Sequence, residues 1–301
     1  MFLYRESILP TVKLSWCSES IVEHDAIALL QGDVIERLSV IPDSSINLIV
    51  TSPPYGIGKE YEQDTDLDDP AAYSAWCRLW INHCHRILTS NGTLILNVGT
   101  KPFPGRAKQV PIPYLLWDAL SDFFLIQEIV WHYGAGGAGK RYFSQRNEKF
   151  LWLVKDQNDY IFNLDAIRDK NVKYPNQKKN GKLRCNPDGK NPSDVWKGLE
   201  DESLADNPTD FWEEKKVTSG KNRSSKERAR HPAQFPEAII ERCIRGFSNE
   251  GDLVLDPFVG SGTTAVVCLR NGRRCVGIDL HRDYLENAVE RLMRVTTLPL
   301  R

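Results

Sequence analysis

Asp256-Pro-Phe-Val-Gly-Ser-Gly-Thr-Thr264 is the stretch on which the reading of this chain turns. Asp252 to Leu255, just before it, reads as a short buried strand. Ala265 to Arg270, just after it, reads as a helix stopped at Asn271-Gly272. Gly260 and Gly262 let the backbone turn tightly and let a ligand lie against it. The amides at the start of the helix attract electron-rich groups. No Lys stands where a phosphate-binding loop needs one, which argues against a nucleoside triphosphatase. The next strand, Cys275 to Ile278, runs into Asp279. A lone Asp at a strand end is often only a helix cap. Paired with a glycine turn one strand earlier, it is an acceptor for ribose hydroxyls.

The same rhythm extends upstream. Ile27 to Gln31 and Ile46 to Val50 are strand-like apolar runs, ending at Gly32-Asp33 and at Thr51-Ser52-Pro53-Pro54-Tyr55. Pro70 to Leu88 predicts a helix, with Tyr73, Trp76, Trp80, Ile81, Cys84 and Leu88 near helical spacing and Asn91-Gly92 as its stop. Thr93 to Val98 is the next strand, Leu115 to Leu120 a helix, and Phe123 to His132 and Lys149 to Val154 are strand-like. Pro236 to Phe247 and Tyr284 to Met293 are helical. Strands alternating with helices predict an α/β fold, a mostly parallel sheet with helices on both faces.

Composition narrows the class without naming a function. The 301 residues are 41% hydrophobic and 26% charged, ordinary for a globular chain with a large core. Net charge is −1, so any basic surface must be local. No apolar run is long enough to span a bilayer, and Met1 to Glu6 lacks the features of a secretory signal. Seven Cys without a Cys-x-x-Cys pair fit reduced thiols in a cytoplasmic protein and offer no zinc site. His83 and His85 diverge on a helix, so no metal is expected there either.

Between about 168 and 230 periodicity is lost. Residues 170–230 carry 15 Lys or Arg against 10 Asp or Glu. A bare charge run is usually a solvated loop. Tyr174, Trp196, Phe211 and Trp212 make this one too apolar for a plain linker, and structureless loops of such length inside a domain are uncommon unless functional. The expectation is an inserted recognition region, 166–230, between 1–165 and 231–301. Lys221, Arg223, Arg228 and Arg230 stand in its most basic part, and Lys140 and Arg141 close a glycine-rich loop begun at Gly134. That loop reads equally as a cover over a ligand or a plain connection. Lys101 to Lys108 is a further basic loop near the sheet's edge.

Ser52-Pro53-Pro54-Tyr55 also follows a strand. The proline pair removes two amide donors and fixes two φ angles, presenting a rigid carbonyl between a hydroxyl and an aromatic face. In α/β sheets ligands bind at this end of the strands.

Together with Asp256–Thr264, this loop resembles the amino-methylating DNA methyltransferases. The order of motifs resembles their β group: catalytic motif first, recognition region in the middle, cofactor motif last. Arg146 to Lys155, Tyr160 to Asn163, Pro192 to Trp196 and His231 to Pro236 resemble further family segments. The resemblance covers most of the chain outside 165–230. It implies a Rossmann-like sheet of seven strands, S-adenosyl-L-methionine as cofactor and double-stranded DNA as partner. A cognate restriction endonuclease is implied as a genetic rather than physical partner. By the same pattern Phe258, Gly260, Ser261, Gly262 and Thr263 line the donor, Asp279 holds its ribose, and Asp33 accepts from its adenine amine. Gln234, Phe235 and Pro236 touch its methionine end, and Asp256 pairs with its ammonium group directly or through water.

The chemistry suits these residues. An exocyclic base amine is a poor nucleophile, because its lone pair is delocalised into the ring. Acceptors on its hydrogens, here Ser52 Oγ and the Pro53 carbonyl, draw the nitrogen toward sp³. Tyr55 can stack on a base that has left the duplex. Ring-carbon methylation of cytosine needs a Cys nucleophile, typically after Pro, and none of the seven Cys follows Pro. Ser before Pro-Pro-Tyr resembles the cytosine-N4 enzymes, and Asp or Asn there the adenine-N6 enzymes. The expectation is cytosine N4. Adenine N6 is the near alternative, and a DNA-binding regulator with a vestigial nucleoside pocket is the alternative of another class.

Overall fold

A computed structural model describes residues 19–22, 24–55, 69–103, 105–133, 141, 143, 145–170, 172–196 and 234–295. Seven strands form its main sheet: β1 (Ile27–Gln31), β2 (Ile46–Thr51), β3 (Leu88–Val98), β4 (Phe124–His132), β5 (Asn147–Val154), β6 (Leu253–Asp256) and β7 (Arg274–Asp279). Their spatial order is β1-β7-β6-β2-β3-β5-β4, and the two-residue strand Val195–Trp196 extends the sheet beyond β4. The pairs from β1 to β3 are all parallel, whereas β5 runs antiparallel to both of its neighbours. The expected mostly parallel sheet is thus present, with one reversed strand.

Largely apolar runs make the inner strands, because both faces are covered, whereas β4 exposes Gln127 and Glu128. In β1, Ile27 and Leu29 face one layer and Ala28 and Leu30 the other. The first layer holds α4 (Glu237–Phe247), α5 (Thr263–Arg270) and α6 (Arg282–Val295). The second holds α1 (Val34–Ser39), α2 (Pro70–Ile87) and α3 (Ile112–Leu116), which tightens into a 3-10 turn to Leu120. Pro70 opens α2 behind an Asp69 cap that accepts from the Ala72 amide at 2.9 Å. Tyr73, Cys77, Trp80, Ile81, Cys84 and Ile87 form its buried stripe.

Two expectations need correction. Asn91-Gly92 does not stop α2 but lies inside β3, which begins at Leu88 rather than at the expected Thr93, and the helix itself ends one residue short of the expected Leu88. Leu88 already pairs with Ile46 in β3, so sheet pairing overrides the turn dipeptide. Lys101 is not part of an exposed basic loop. It is 1% exposed, on a hairpin of Thr100–Phe103 against Ala107–Pro111, with its ammonium 5.4 Å from the ring centroids of Tyr73 and Phe103. Arg106 and Lys108 on the same hairpin are exposed.

The described part of the middle region is partly ordered. It holds a 3-10 turn at Leu164–Ile167, an Asp169–Lys190 bridge and an exposed lysine-rich hairpin, Lys178–Lys179 against Lys182–Leu183. Among the described residues no helix is long and apolar enough to cross a membrane, and no cluster of three or more His, Cys, Asp or Glu could hold a metal.

Candidate active site

Parallel strands β1, β7, β6, β2 and β3 end at one edge of the sheet. After β6 the chain turns into α5 on one face, and after β2 it leads toward α2 on the other. The register sets Leu255 beside Ile49. The two loops therefore diverge from neighbouring strands and leave a crevice, the place where such sheets bind ligands. A buried carboxylate spans its floor. Asp256 Oδ1 accepts from Thr51 Oγ1 at 2.8 Å and from the Phe258 amide at 3.1 Å, and Oδ2 accepts from Thr264 Oγ1 at 2.6 Å. Burial pushes its carboxyl up to about 6, against the pull of those donors. With both oxygens engaged inside the fold, Asp256 serves the site as a strut between β2 and the glycine turn.

On the β6–β7 side, Gly260 (φ 49°) and Gly262 (φ 79°) both adopt left-handed conformations. A Cβ on Gly262 would lie 2.5 Å from that of Ala288, so only glycine lets the turn approach α6. Asp279 Oδ2 accepts from the Gly260 amide at 2.9 Å, and Oδ1 from the His281 amide at 2.9 Å. Desolvation raises its pKa above the ordinary carboxylate value, while those amides pull the other way. The Ser261 and Thr263 side chains turn inward. Arg291 holds the Ser261 carbonyl and hydroxyl and Thr263 Oγ1 at 2.9, 3.2 and 2.9 Å, and pairs with Glu237 at 2.7 Å. What these two residues can offer a ligand is therefore backbone. Phe258 packs against Trp76 and Trp80 with centroids 5.8 and 5.5 Å away and stays partly exposed. A carboxylate, an aromatic wall and turn amides suit a nucleoside. The guanidinium beneath the turn is committed to Glu237 and the turn itself, not to a phosphate.

On the β2 side, Ser52 and Tyr55 meet a residue the sequence reading passed over. Ser52 Oγ and Tyr55 OH lie 3.2 Å apart, and each donates to Asn97 Oδ1, at 3.2 and 3.1 Å. Asn97 Nδ2 donates to the Lys149 carbonyl at 3.3 Å. Pro53 is buried and Pro54 partly buried.

The remaining expected residues scatter around this edge. Asp33 caps α1, its Oδ1 accepting from the Ile35 and Glu36 amides at 2.8 and 3.2 Å. The adjacent Gly32 amide donates to the Asp279 carbonyl at 3.1 Å, so Asp33 sits at the mouth of the Asp279 side. Gln234 and Pro236 are buried. The Phe235 ring packs on Trp131 and Phe150, with centroids 6.3 and 6.0 Å away, on the face bearing α4. Arg141 is exposed, while Lys140, Lys221, Arg223, Arg228 and Arg230 lie outside the described residues. Arg291 and Glu237, like Asn97, were missed. Charges on amphipathic helices read as solvated faces, and only the fold turns these two inward.

A carboxylate and glycine turn at one strand end, beside a hydroxyl- and aromatic-bearing loop at the next, suit two ligands held side by side. Residues 46–290 match the DNA methylase family of N6 and N4 methyltransferases, and the chain belongs to that family. The type II methyltransferase M.ScaI of Streptomyces caespitosus is 51% identical over 270 residues, 90% of this chain and 82% of its own length. DNA adenine methyltransferase YhdJ of Escherichia coli (strain K12) is 30% identical over 282 residues, 92% of this chain and 86% of its own. Among solved structures, the PvuII DNA methyltransferase (cytosine-N4-specific) has a TM-score of 0.64 at 20% identity, over 88% of this chain and 86% of that one. The modification methylase TTHA0409 of Thermus thermophilus, solved complexed with S-adenosyl-L-methionine, has a TM-score of 0.58 at 23% identity, over 90% and 97%. These structures share the fold.

Proposed function

We propose that this methyltransferase transfers a methyl group from S-adenosyl-L-methionine to the N4 amine of cytosine in duplex DNA, at a specific sequence. We further propose that it acts in the cytoplasm as the protective half of a restriction–modification pair. The observation that carries the reading is the pairing at the sheet edge of the Ser52–Tyr55 loop with the Asp279–Gly260 cradle, through Thr51 and Asp256. The choice of cytosine rests on Ser at position 52, and the restriction partnership on the type II relatives.

When bound, the donor supplies an electrophilic methyl on a sulfonium. Asp279 accepts from the ribose hydroxyls, Phe258 walls the nucleoside, and the Gly260–Thr263 backbone lies against it. Asp33, at the neighbouring strand end, accepts from the adenine amine. Gln234 to Pro236 flank the methionine end. On the other wall Ser52 Oγ and the Pro53 carbonyl accept from the target amine, pulling its nitrogen toward sp³. Tyr55 stacks on the everted base. Pro54 keeps the loop stiff, so positioning supplies much of the acceleration. No general base is demanded, because the nitrogen becomes acidic once alkylated.

Phosphate contacts come from exposed cations around the same edge and the middle region: Arg141, Arg106, Lys108, Lys178, Lys179 and Lys182. Lys140, Lys221, Arg223, Arg228 and Arg230 complete that set. Such contacts weaken as salt rises.

The test is incubation of unmethylated duplex DNA with methyl-labelled donor, followed by nucleoside digestion and chromatography. The expected label is in N4-methylcytosine. Label in N6-methyladenine would replace the base assignment, and no label at all would favour a DNA-binding regulator.

A further inference from the structure

Asn97 lies fully buried near the end of β3, one residue before Val98 and two after Ile95, both fully buried. A side-chain amide in such a place is costly unless its groups are paired. Here they are paired, and in one orientation. Nδ2 faces the Lys149 carbonyl at 3.3 Å, contributed by the neighbouring strand β5. The reversed amide would set Oδ1 against that carbonyl oxygen, so the backbone of β5 fixes which way Asn97 points. Oδ1 must then face Ser52 Oγ and Tyr55 OH, at 3.2 and 3.1 Å. An amide oxygen carries no proton, so both hydroxyls donate to it.

We propose that Asn97 is a positioning residue for methyl transfer, an inference that rests on the reading of the Ser52–Tyr55 loop given above. By drawing the Ser52 proton inward, Asn97 leaves the Oγ lone pairs facing outward, where the target amine must place a hydrogen. An untethered serine hydroxyl would rotate and offer its proton to the base's ring nitrogen instead. By holding Tyr55 OH, Asn97 also sets the plane of the ring that stacks on the base. The ring's other side is defined by Gly99, where an added Cβ would stand 3.2 Å from Tyr55 Cε2. Asn97 touches neither substrate in this scheme and acts through Ser52 and Tyr55.

The experiment measures the single-turnover rate of methyl transfer to unmethylated duplex DNA at saturating DNA, with the dissociation constant for S-adenosyl-L-methionine measured on each protein. Asn97→Leu keeps a branched outline, somewhat larger and without polar groups, and Asn97→Ala simply removes them. Either variant that binds donor carries the test. Both are expected to slow transfer about hundredfold, the scale of losing one preorganised polar contact, with donor affinity changed less than about twofold. Asn97→Asp, held as the neutral acid in this fully buried place, can donate its hydroxyl to the Lys149 carbonyl and accept from Ser52 and Tyr55 with its other oxygen, and is expected to recover to within about tenfold of wild type. Adding Asn97→Leu to the pair Ser52→Ala and Tyr55→Phe is expected to slow transfer no more than about threefold further, because Asn97 acts through those two hydroxyls. Undiminished transfer in Asn97→Leu and Asn97→Ala would overturn the proposal. So would loss of donor binding in both, or a triple variant in which the Asn97 defect multiplies with those of Ser52→Ala and Tyr55→Phe. A wild-type protein that labels no DNA would sink the underlying reading itself, whereas labelling by wild type and the Asn97 variants alike would sink only the role of Asn97.

Discussion

Thr51 Oγ1 donates to Asp256 Oδ1 across 2.8 Å, joining residues 205 positions apart in the chain. Each is the last residue of its strand, and each begins one of the two loops that make the crevice. Backbone pairing of β2 with β6 brings the strands together, and this bond fixes how their ends are staggered. The loop after Thr51 and the glycine turn after Asp256 are therefore held at a set distance from each other. Preorganisation of this kind is what a positioning-dominated reaction requires.

The same carboxylate makes stability depend on pH. Its folded pKa, about 6, lies above the ordinary 3.8, so the folded state holds the proton more tightly than the unfolded chain. The group's contribution is then greatest below the unfolded value, declines as pH rises toward the folded value, and is level above it. The decline should amount to about 3 kcal/mol. Urea unfolding followed from about pH 4 to about pH 7 should show the wild type losing most of this relative to Asp256→Asn. A difference between the two proteins that stays constant with pH would contradict it.

Asp279 carries the opposite sign for binding. The ionised carboxylate is the better acceptor for ribose hydroxyls, and burial raises its pKa. Donor affinity should hold above that raised pKa and fall as pH drops through it, starting at a higher pH than an ordinary carboxylate would give. Titration calorimetry across the acid range should show this in wild type and not in Asp279→Ala, which should bind weakly throughout.

Gly262 sits at φ 79°, with its absent Cβ 2.5 Å from the Ala288 Cβ. Gly262→Ala should destabilise the fold by more than about 1 kcal/mol, combining left-handed strain with overpacking. Ala288→Gly should recover the packing part and leave the backbone part. Thermal unfolding of both single variants and the pair would check this, and a fully additive pair would refute the contact.

Arg291 ties α6 to the glycine turn and, through Glu237, to α4. Its side chain is 8% exposed and that of Glu237 17%. Arg291→Met should cost about 2 kcal/mol, because the Ser261 carbonyl and Thr263 Oγ1 lose their donor in a largely dry site, while Glu237 keeps its pairing with Arg270. Donor affinity should fall with it, since the turn loses its underside. Denaturant midpoints and donor titrations on one preparation would measure both, and a variant as stable as wild type would remove the strut.

Much of this was legible in the residues themselves. The glycine turn, Asp279 and Ser52 to Tyr55 announce themselves because turn chemistry is local and each follows an apolar run. The strands and helices followed from periodicity, within a few residues at their ends. What stayed hidden depends on pairing between distant segments. Asn97 reads as one polar residue in the strand Thr93 to Val98, and its use appears only when Phe150 is set opposite it and Lys149 beside that. Arg291 and Glu237 carry no local signal, and their pairing arises only where α4 and α6 pack with α5. Lys101 read as a surface base until Tyr73 and Phe103 were seen to enclose it.

The reversed strand β5 has a consequence for how such a molecule can diversify. Running against its neighbours, it begins where β4 finishes, with the Tyr133 amide bonded to the Arg146 carbonyl at 2.9 Å. The connection between them departs from and returns to the rim that bears Ser52 and Asp279. On the proposed function, a longer or differently charged segment spliced in there would stand at the rim to which nucleic acid comes. The joint at Tyr133 and Arg146 would shield the strands from the change, leaving room to alter which sequence is chosen without rebuilding the centre that acts on it.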